Sequence, residues 1–189
     1  WLDPSKTSPY SFYQFWLNVA DADVYKFLSY FTFLSLDEIQ AIEAADAAAE
    51  ERPQAQAILA SEATSLVHGE EGLNAALRIT EALFSGNPVD LSESDLKQLS
   101  QDGLPFSRLS NSDLVDKPLT NLLAAAGMVK AGREVKDALA RNSVFINGVA
   151  KGSQDNMGAS SSLDAEHALY GRFFLVRLGK KKYHLFELI

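Results

Sequence analysis

The stretch "LTNLLAAAGMVKAGREVKDALARNSVFINGVAKG", residues 119–152, decides the fold of the second half of the chain. Its leucines and alanines predict a helix that Gly127 ends, because glycine takes the left-handed backbone conformation common after helix C-termini. A second helix is predicted over 132–141. "VFINGVA" predicts two strands joined by an Asn-Gly turn. Two short helices followed by a hairpin indicate a small α+β domain.

The remaining strands of this domain are predicted in "YGRFFLVRLGKKKYHLFELI", residues 170–189. Two apolar runs meet there at Gly179-Lys180, so a second hairpin is expected. The sheet is therefore predicted to be hairpin-rich and antiparallel. The polar residues 152–162 between the hairpins predict a loop.

The first half of the chain carries helical signals only. Thr7-Ser8-Pro9 is typical of a helix N-terminus, and Ser35 with Glu38 has the spacing of a capping box. Helices are predicted over about 9–20, 24–33, 36–51, 53–68 and 70–84. Short connections between such helices indicate a helical bundle.

A change of composition separates the two halves. Residues 86–111 are rich in Ser, Asp, Gly and Pro, which is typical of a linker, with a short helix predicted near 92–100. The predicted organisation is a helical bundle in 1–86, a linker with a short helix in 87–106, and the α+β domain in 107–189.

Composition excludes several kinds of site. The 189 residues include no cysteine, which excludes disulfides, thiolate zinc sites and a cysteine nucleophile and fits a reducing cytoplasm. No apolar run reaches the ~20 residues of a membrane span, so no membrane partner is expected. His68, His167 and His184 lie far apart without metal-ligand spacing, and no phosphate-cradling glycine loop is present. No catalytic residue, metal or cofactor is predicted within the chain.

Charge is divided unevenly along the chain. Residues 107–189 contain 12 Lys and Arg against 8 Asp and Glu, a net charge of +4, whereas residues 1–106 contain 5 against 17, a net charge of −12. Such a division indicates two modules with different partners, although chance variation of the surface gives the same numbers.

Basic residues on the predicted helix 132–141 and at two turns form the candidate RNA-binding surface. Cations held on a rigid helix and at turns can contact phosphates. The alternative is an ordinary solvated helix face, which Glu134 and Asp137 favour by diluting the charge. The candidate RNA-binding residues are Lys130, Arg133, Lys136, Arg141, Asn147, Lys151, Lys180, Lys181 and Lys182.

A resemblance favours RNA. Residues 119–152 resemble the RNA-binding module of the ribosomal protein S-four type. The motifs "WLDP-KTSPY-FYQFW-N-ADADV", "VHGEEGL-AA-RITE-LFSG" and "GRF-L-R-GKK-Y" resemble, in order and across the whole chain, the C-terminal region of the tyrosyl-tRNA synthetase family. The chain departs from the module at Ala131-Gly132, where the module carries Ser-Arg, and at Lys136, where it carries arginine. Lysine lacks the planar bidentate contact that arginine makes with phosphate.

The resemblance implies a fragment of a class I aminoacyl-tRNA synthetase, a tyrosine–tRNA ligase. In the family a Rossmann-type catalytic domain, absent here, holds ATP with Mg and tyrosine. The helical part would bind the anticodon stem of tRNA(Tyr), and the α+β part would contact its long variable arm and anticodon region. The fragment is expected to be inactive alone, monomeric and cytoplasmic, and the parent enzyme homodimeric.

Two alternatives come from other classes: a free-standing RNA- or ribosome-associated regulator, and an acidic helical protein-interaction module. The aromatic opening "WLDPSKTSPYSFYQFW", residues 1–16, is expected to lie partly against the missing domain and so to be unusually exposed. Tyr25, Tyr30 and Phe33 are candidate platforms for stacked bases, with packing against a neighbouring helix as the favoured alternative.

Overall fold

Helices begin where the capping signals predict them. A computed structural model describes residues 2–50, 53–88, 90–114, 117–130, 132–157, 159 and 163–189. Ser8 Oγ accepts a hydrogen bond from the Ser11 N–H at 3.1 Å, and Pro9 occupies the first turn. Ser35 and Glu38 form the predicted capping box, in which Glu38 Oε2 accepts from the Ser35 N–H at 2.7 Å. Within the described ranges, every helix is too short or too polar to cross a membrane.

The chain divides into two compact units, residues 1–80 and 81–189. The first unit is helical, as predicted. The first four helices of the chain are α1 (Pro9–Leu17), α2 (Val24–Phe31), α3 (Leu36–Ala48) and α4 (Ala55–Ser85). Their ends lie within a few residues of the predicted ends.

Glycine separates two helical segments within α4. Gly69 has φ 68° and ψ 178°, which no helix contains, so the predicted helix end at this residue is confirmed. Gly72 serves a different purpose. A Cβ atom there would lie 2.6 Å from His68 Cβ and 3.4 Å from Pro9 Cβ, so glycine allows α1 to approach the second segment of α4 closely.

The core of the first unit is built around Trp16, whose ring centroid lies 6.0 Å from those of Phe12 and Phe27. The expected exposure of the opening aromatic residues is confirmed for Phe15, which is 65% exposed. It is wrong for Phe12 and Trp16, each 9% exposed, because these two side chains fill the bundle. Trp1 lies outside the described residues.

The second unit combines short helices with a five-stranded sheet. Its helices are α5 (Glu93–Gln98), α6 (Asn111–Leu114), α7 (Leu119–Ala125) and α8 (Gly132–Ala140). Its strands are β1 (Phe106–Leu109), β2 (Val144–Ile146), β3 (Val149–Lys151), β4 (Phe173–Leu178) and β5 (Lys182–Leu188). A π-helical turn at Leu99–Gly103 follows α5, and the predicted loop contains a 3₁₀ turn at Ser153–Met157. Both predicted hairpins, β2–β3 and β4–β5, are confirmed.

The sheet is mixed, with strand order β1-β5-β4-β2-β3, so the prediction of a wholly antiparallel sheet is wrong. β1 pairs in parallel with β5, Phe106 opposite Leu185 and Leu109 opposite Leu188. β1 is only four residues long and shows no clear alternation of burial. Its pairing partner lies far along the chain, and local sequence patterns reveal hairpins rather than such distant pairings.

Different parts of the chain cover the two faces of the sheet. The face with Val144, Val176 and Phe186 shares a core with α7 and α8. On the other face, the Tyr183 hydroxyl donates a hydrogen bond to the Leu83 carbonyl at 2.6 Å. The pKa of Tyr183 is raised by burial, so the hydroxyl keeps its proton for this bond at neutral pH.

Residues 83–99, here called the covering segment, make specific contacts with the sheet unit. The Tyr170 hydroxyl donates to the Leu91 carbonyl at 2.7 Å, and Arg172 Nη2 donates to Glu93 Oε1 at 2.6 Å. Leu96 and Leu99 are completely buried. Most of the predicted linker therefore packs within the second unit. The predicted division into 1–86, 87–106 and 107–189 stays a prediction.

Candidate nucleic-acid interface

Helix α8 holds two of the candidate cations outward because its opposite face is apolar. Val135, Ala138 and Leu139 are buried in the core of the second unit. Helical geometry then places Arg133 and Lys136 on the solvent side, where both are exposed. Lys130, also exposed, lies two residues before the start of α8. The three cations therefore lie between the residue two before α8 and the middle of this nine-residue helix.

A cavity of about 490 Å³ opens beside the start of α8. Arg133, Lys136, Thr120 and Asn156 are among its lining residues. The Thr120 N–H donates to Asn156 Oδ1 at 3.0 Å, which holds the asparagine against α7. Sequence patterns miss Thr120 and Asn156, because 36 residues separate them and neither belongs to a motif. The cavity is lined by two cations and by neutral hydrogen-bonding residues, and both kinds of group contact phosphates in protein–nucleic acid complexes.

The remaining cations gather at one end of the sheet. In register, Lys182 lies opposite Leu178, Leu178 opposite Val144, and Val144 opposite Lys151. Three strand spacings of ~4.8 Å separate Lys182 from Lys151, roughly 14 Å in all. The Gly179 N–H donates to the Ser143 carbonyl at 2.8 Å, which brings the β4–β5 turn with Lys180 and Lys181 to the end of α8, next to Arg141.

Asn147 lies at the other end of β2, away from these lysines. Its Nδ2 donates to the His167 carbonyl at 2.9 Å, and its Oδ1 accepts from the Leu175 N–H at 2.8 Å. The residue has φ 49°, as an Asn-Gly hairpin turn requires. The Asn147 side chain therefore ties the β2–β3 turn to β4 and to the loop before β4, and the structure does not bring it together with the candidate cations.

The described ion pairs of the second unit use other cations, namely Lys97, Arg108, Lys117 and Arg172. Among the residues that the structure describes, Arg133 and Lys136 have Asp137 and Glu134 on the same helix but form no ion pair with them. Their charges are therefore not neutralised by a fixed carboxylate, which suits both a phosphate-binding surface and an ordinary solvated helix face, so the candidate residues stay a prediction.

The histidines do not form a site. His184 is buried, with its Nε2 2.9 Å from Ser107 Oγ, and burial lowers its pKa below the ordinary 6.5. His68 packs edge-on against Phe12, and burial lowers its pKa as well. His167 Nδ1 lies 2.6 Å from Asp164 Oδ1. In the described part of the chain, no three His, Asp or Glu side chains come together in a way that could hold a metal ion.

Comparison with known proteins places both units in one family. Residues 1–85 match the family model of class I tRNA synthetases (W and Y). Residues 95–186 match the model of the tyrosine–tRNA ligase SYY-like C-terminal domain. The two models between them match residues 1–85 and 95–186, and the chain therefore belongs to the class I aminoacyl-tRNA synthetases.

The curated relatives are more specific. The chain is 52% identical over 187 residues to the tyrosine–tRNA ligase of Dechloromonas aromatica and 50% identical over 185 residues to that of Laribacter hongkongensis. Each match covers 98% of this chain and 42% of the relative. Within the class, the chain belongs to the tyrosyl-tRNA synthetase family and spans about 42% of the length of these members.

One solved structure is also similar, the C-terminally truncated mitochondrial tyrosyl-tRNA synthetase of Aspergillus nidulans. It is 36% identical, with a TM-score of 0.41, over 44% of this chain and 25% of that one.

Proposed function

We propose that this chain is the tRNA-binding part of a tyrosine–tRNA ligase and positions tRNA(Tyr) for aminoacylation by a catalytic domain outside these 189 residues. The names of the curated relatives support the enzyme class. In that parent enzyme, the absent domain would use ATP with Mg and tyrosine. The chain alone is expected to form no tyrosyl-adenylate.

The observation that carries the proposal is the exposed, unneutralised pair Arg133 and Lys136 beside a cavity with neutral donors and acceptors. We assign α7, α8, β2 and β3 to a module of the ribosomal protein S-four type. In it, the start of α8 is one phosphate contact, and Arg141, Lys151 and Lys180–Lys182 at the sheet end are a second. Such contacts orient RNA without reading its sequence.

The shape of the RNA must then supply specificity. Two separate groups of cations on one small unit suit a long double-stranded arm, because its backbone passes both groups in turn. The net charge of −12 in residues 1–106 disfavours general coating by RNA and favours approach along the basic edge. The long variable arm of tRNA(Tyr) fits these requirements. We further propose a monomeric chain and a homodimeric, cytoplasmic parent.

The test is a titration of the chain with tRNA(Tyr) and with a tRNA that lacks the long arm, each at two or more salt concentrations. Arg133→Ala and Lys136→Ala should each weaken binding and lower the slope of log K against log salt by about 1. Lys97→Ala is the matched control, because Lys97 is an exposed cation already paired with Glu93 at 3.2 Å.

The outcomes separate the alternatives. Equal slopes for the two variants, the control and the unaltered chain would place the RNA surface elsewhere. Equal affinity for the two tRNAs would remove the long arm from the proposal. No binding of either tRNA at low salt would favour the protein-interaction module.

A further inference from the structure

Strand β1 forms one edge of the five-stranded sheet, and among the described strands it pairs with β5 alone. The Pro105 and Leu109 carbonyls accept hydrogen bonds from β5 and from the residue after it, at 2.9 and 2.8 Å. In a parallel ladder the backbone groups of every second residue point to the partner strand. Residues 105, 107 and 109 therefore face β5, and the N–H and C=O groups of Phe106 and Arg108 face outward.

A cavity of about 450 Å³ is lined by this edge and by helix α7. The apolar residues that line it are Leu109, Leu122, Ala125, Ala126 and Phe186. A volume of this size is within the range of roughly 300–1,000 Å³ that is usual for binding sites. A groove beside an unpaired strand edge is typical of domains that bind an extended peptide as an additional strand, because the edge pairs with the peptide backbone and the groove takes its side chains.

The two faces of β1 would offer different surroundings to such a peptide. Ser107 lies opposite Phe186 in register, so it is on the face whose core includes α7. Arg108 lies opposite Glu187 on the other face, with its Nε 3.3 Å from Glu187 Oε2. Because the side chains of a strand alternate between faces, every second residue of an added strand would face the cavity, and the others would lie on the side of Arg108.

The ion pairs around Arg108 contain more positive than negative charge. Glu187 lies 3.1 Å from Arg172 as well, and Glu93 lies 2.6 Å from Arg172 and 3.2 Å from Lys97. Three cations therefore share two carboxylates in the described ion pairs. Arg108 contacts Glu187 through Nε, and its side chain is 66% exposed. Its two Nη groups suit a further carboxylate, so an acidic residue of the added strand would complement this face.

We propose that β1 and the cavity beside it bind an extended segment of another protein, in which apolar and acidic residues alternate. The segment adds to the sheet by hydrogen bonds to the outward backbone groups of Phe106 and Arg108. Its apolar side chains enter the cavity, and its acidic side chains lie beside Arg108. β1 is only four residues long, so backbone pairing alone is weak, and the side-chain contacts on the two faces provide the specificity. A polypeptide fits better than RNA, because its backbone continues the ladder.

The experiment is an NMR titration of the nitrogen-15-labelled chain with an acetylated and amidated octapeptide of alternating glutamate and valine. Amide shifts are expected in β1 and at Leu122 and Ala125. At saturation, hydrogen exchange of the Phe106 and Arg108 amides should slow at least about tenfold, because a paired amide exchanges only when the pairing opens. No shift at about 2 mM peptide would overturn the proposal, because any affinity would then be weaker than millimolar. The matched control is an octapeptide of alternating lysine and valine, whose cations would face Arg108, and equal affinity for it would contradict the predicted charge preference.

Two pairs of variants test the two faces separately. Arg108→Ala should weaken binding about three- to tenfold, as expected for loss of an exposed, charged hydrogen bond. Lys26→Ala, at an exposed cation of the first unit, should not. Ala125→Trp should fill the cavity and weaken binding at least about tenfold, whereas Ala57→Trp, at an exposed position of α4, should not. Unchanged amide shifts away from each substitution verify the fold. Equal affinities within either pair would refute the corresponding contact.

Methylated peptides test the pairing of the backbones. Methyl groups on the glutamate nitrogens remove the N–H donors along one edge of the extended octapeptide, and methyl groups on the valine nitrogens remove those along the other edge. One of the two peptides should lose binding, and the other should bind as the unmodified peptide does. The peptide that fails also gives the direction of the added strand. Equal binding of both would exclude strand addition.

Other occupants of the edge give other results, and each overturns the proposal. Slow exchange at Phe106 and Arg108 that develops in the chain alone as its concentration rises would assign the edge to a second copy. Slow exchange that develops only when tRNA is added would assign it to RNA. The proposal does not rest on tRNA binding, and none of its measurements uses the cations of α8. Failure of peptide binding and failure of tRNA binding are therefore distinguishable.

Discussion

Leu96→Ala tests whether the covering segment is an integral part of the second unit. Leu96 is completely buried, as is Leu99 three residues later. Truncation removes three carbon atoms from the core and leaves a cavity, and fully buried leucines cost ~2–5 kcal/mol on such truncation. We expect a loss of about 3 kcal/mol in the free energy of unfolding of the second unit, or roughly 150-fold in its unfolding equilibrium.

The two units can be followed separately in one urea titration. Both tryptophans lie within residues 1–16, so tryptophan fluorescence reports the first unit. Hydrogen exchange of peptides from β4 and β5 reports the second. Leu96→Ala should shift only the second transition, and Ile189→Ala, at a side chain 72% exposed, should shift neither. A decrease in the free energy of unfolding of under about 0.5 kcal/mol, the usual size of a surface effect, would refute the reasoning. Residues 87–106 would then be better described as a flexible linker.

Two further predictions concern acid and backbone conformation. Burial in the folded state lowers the pKa of His184 below the ordinary 6.5. As the pH falls, the unfolded chain therefore binds a proton at this histidine before the folded chain does. The free energy of unfolding of the second unit should then decrease from pH 6.5 downward. His184→Gln should flatten that dependence, measured by the same exchange method at several pH values, and an unchanged slope would contradict it. Gly86→Ala should cost more than Gly69→Ala. Both have positive φ, but a Cβ at position 86 would lie 2.8 Å from Arg177 Cζ, whereas at 69 nothing lies within 4 Å. Equal shifts of the urea midpoints of the two units would show that the Arg177 side chain moves away from the added Cβ atom at little cost in free energy.

Much of the fold is predictable because its signals are local. Ser8-Pro9, the Ser35–Glu38 capping box and Gly69 each act within one helical turn, and the Asn147-Gly148 turn sets the register of its own hairpin. β1 is not predictable in this way. Its four residues become a strand only because β5 offers a free edge far along the chain.

The candidate site also contains residues that the sequence predicts and residues that only tertiary packing brings in. Arg133 and Lys136 are predictable because the apolar positions of α8 determine its outer face. Thr120 and Asn156 meet only through tertiary packing and carry no sequence signal. Asn147 looks like a surface polar residue in sequence, but its amide is bonded to the backbone of β4 at Leu175 and of the preceding loop at His167. The covering segment is rich in turn-forming residues, and its buried leucines are too few to show a period.

The covering segment also determines how the second unit can be transplanted. A graft cut at residue 95, where the family match begins, would discard Leu83, Leu91 and Glu93. Tyr183, Tyr170 and Arg172 would then lose partners that they hold at 2.6–2.7 Å, and one face of the sheet would be uncovered. Uncovered sheet surface invites self-association. A chimaera intended to carry this unit onto another protein therefore needs its junction upstream of Leu83, within the last turns of α4.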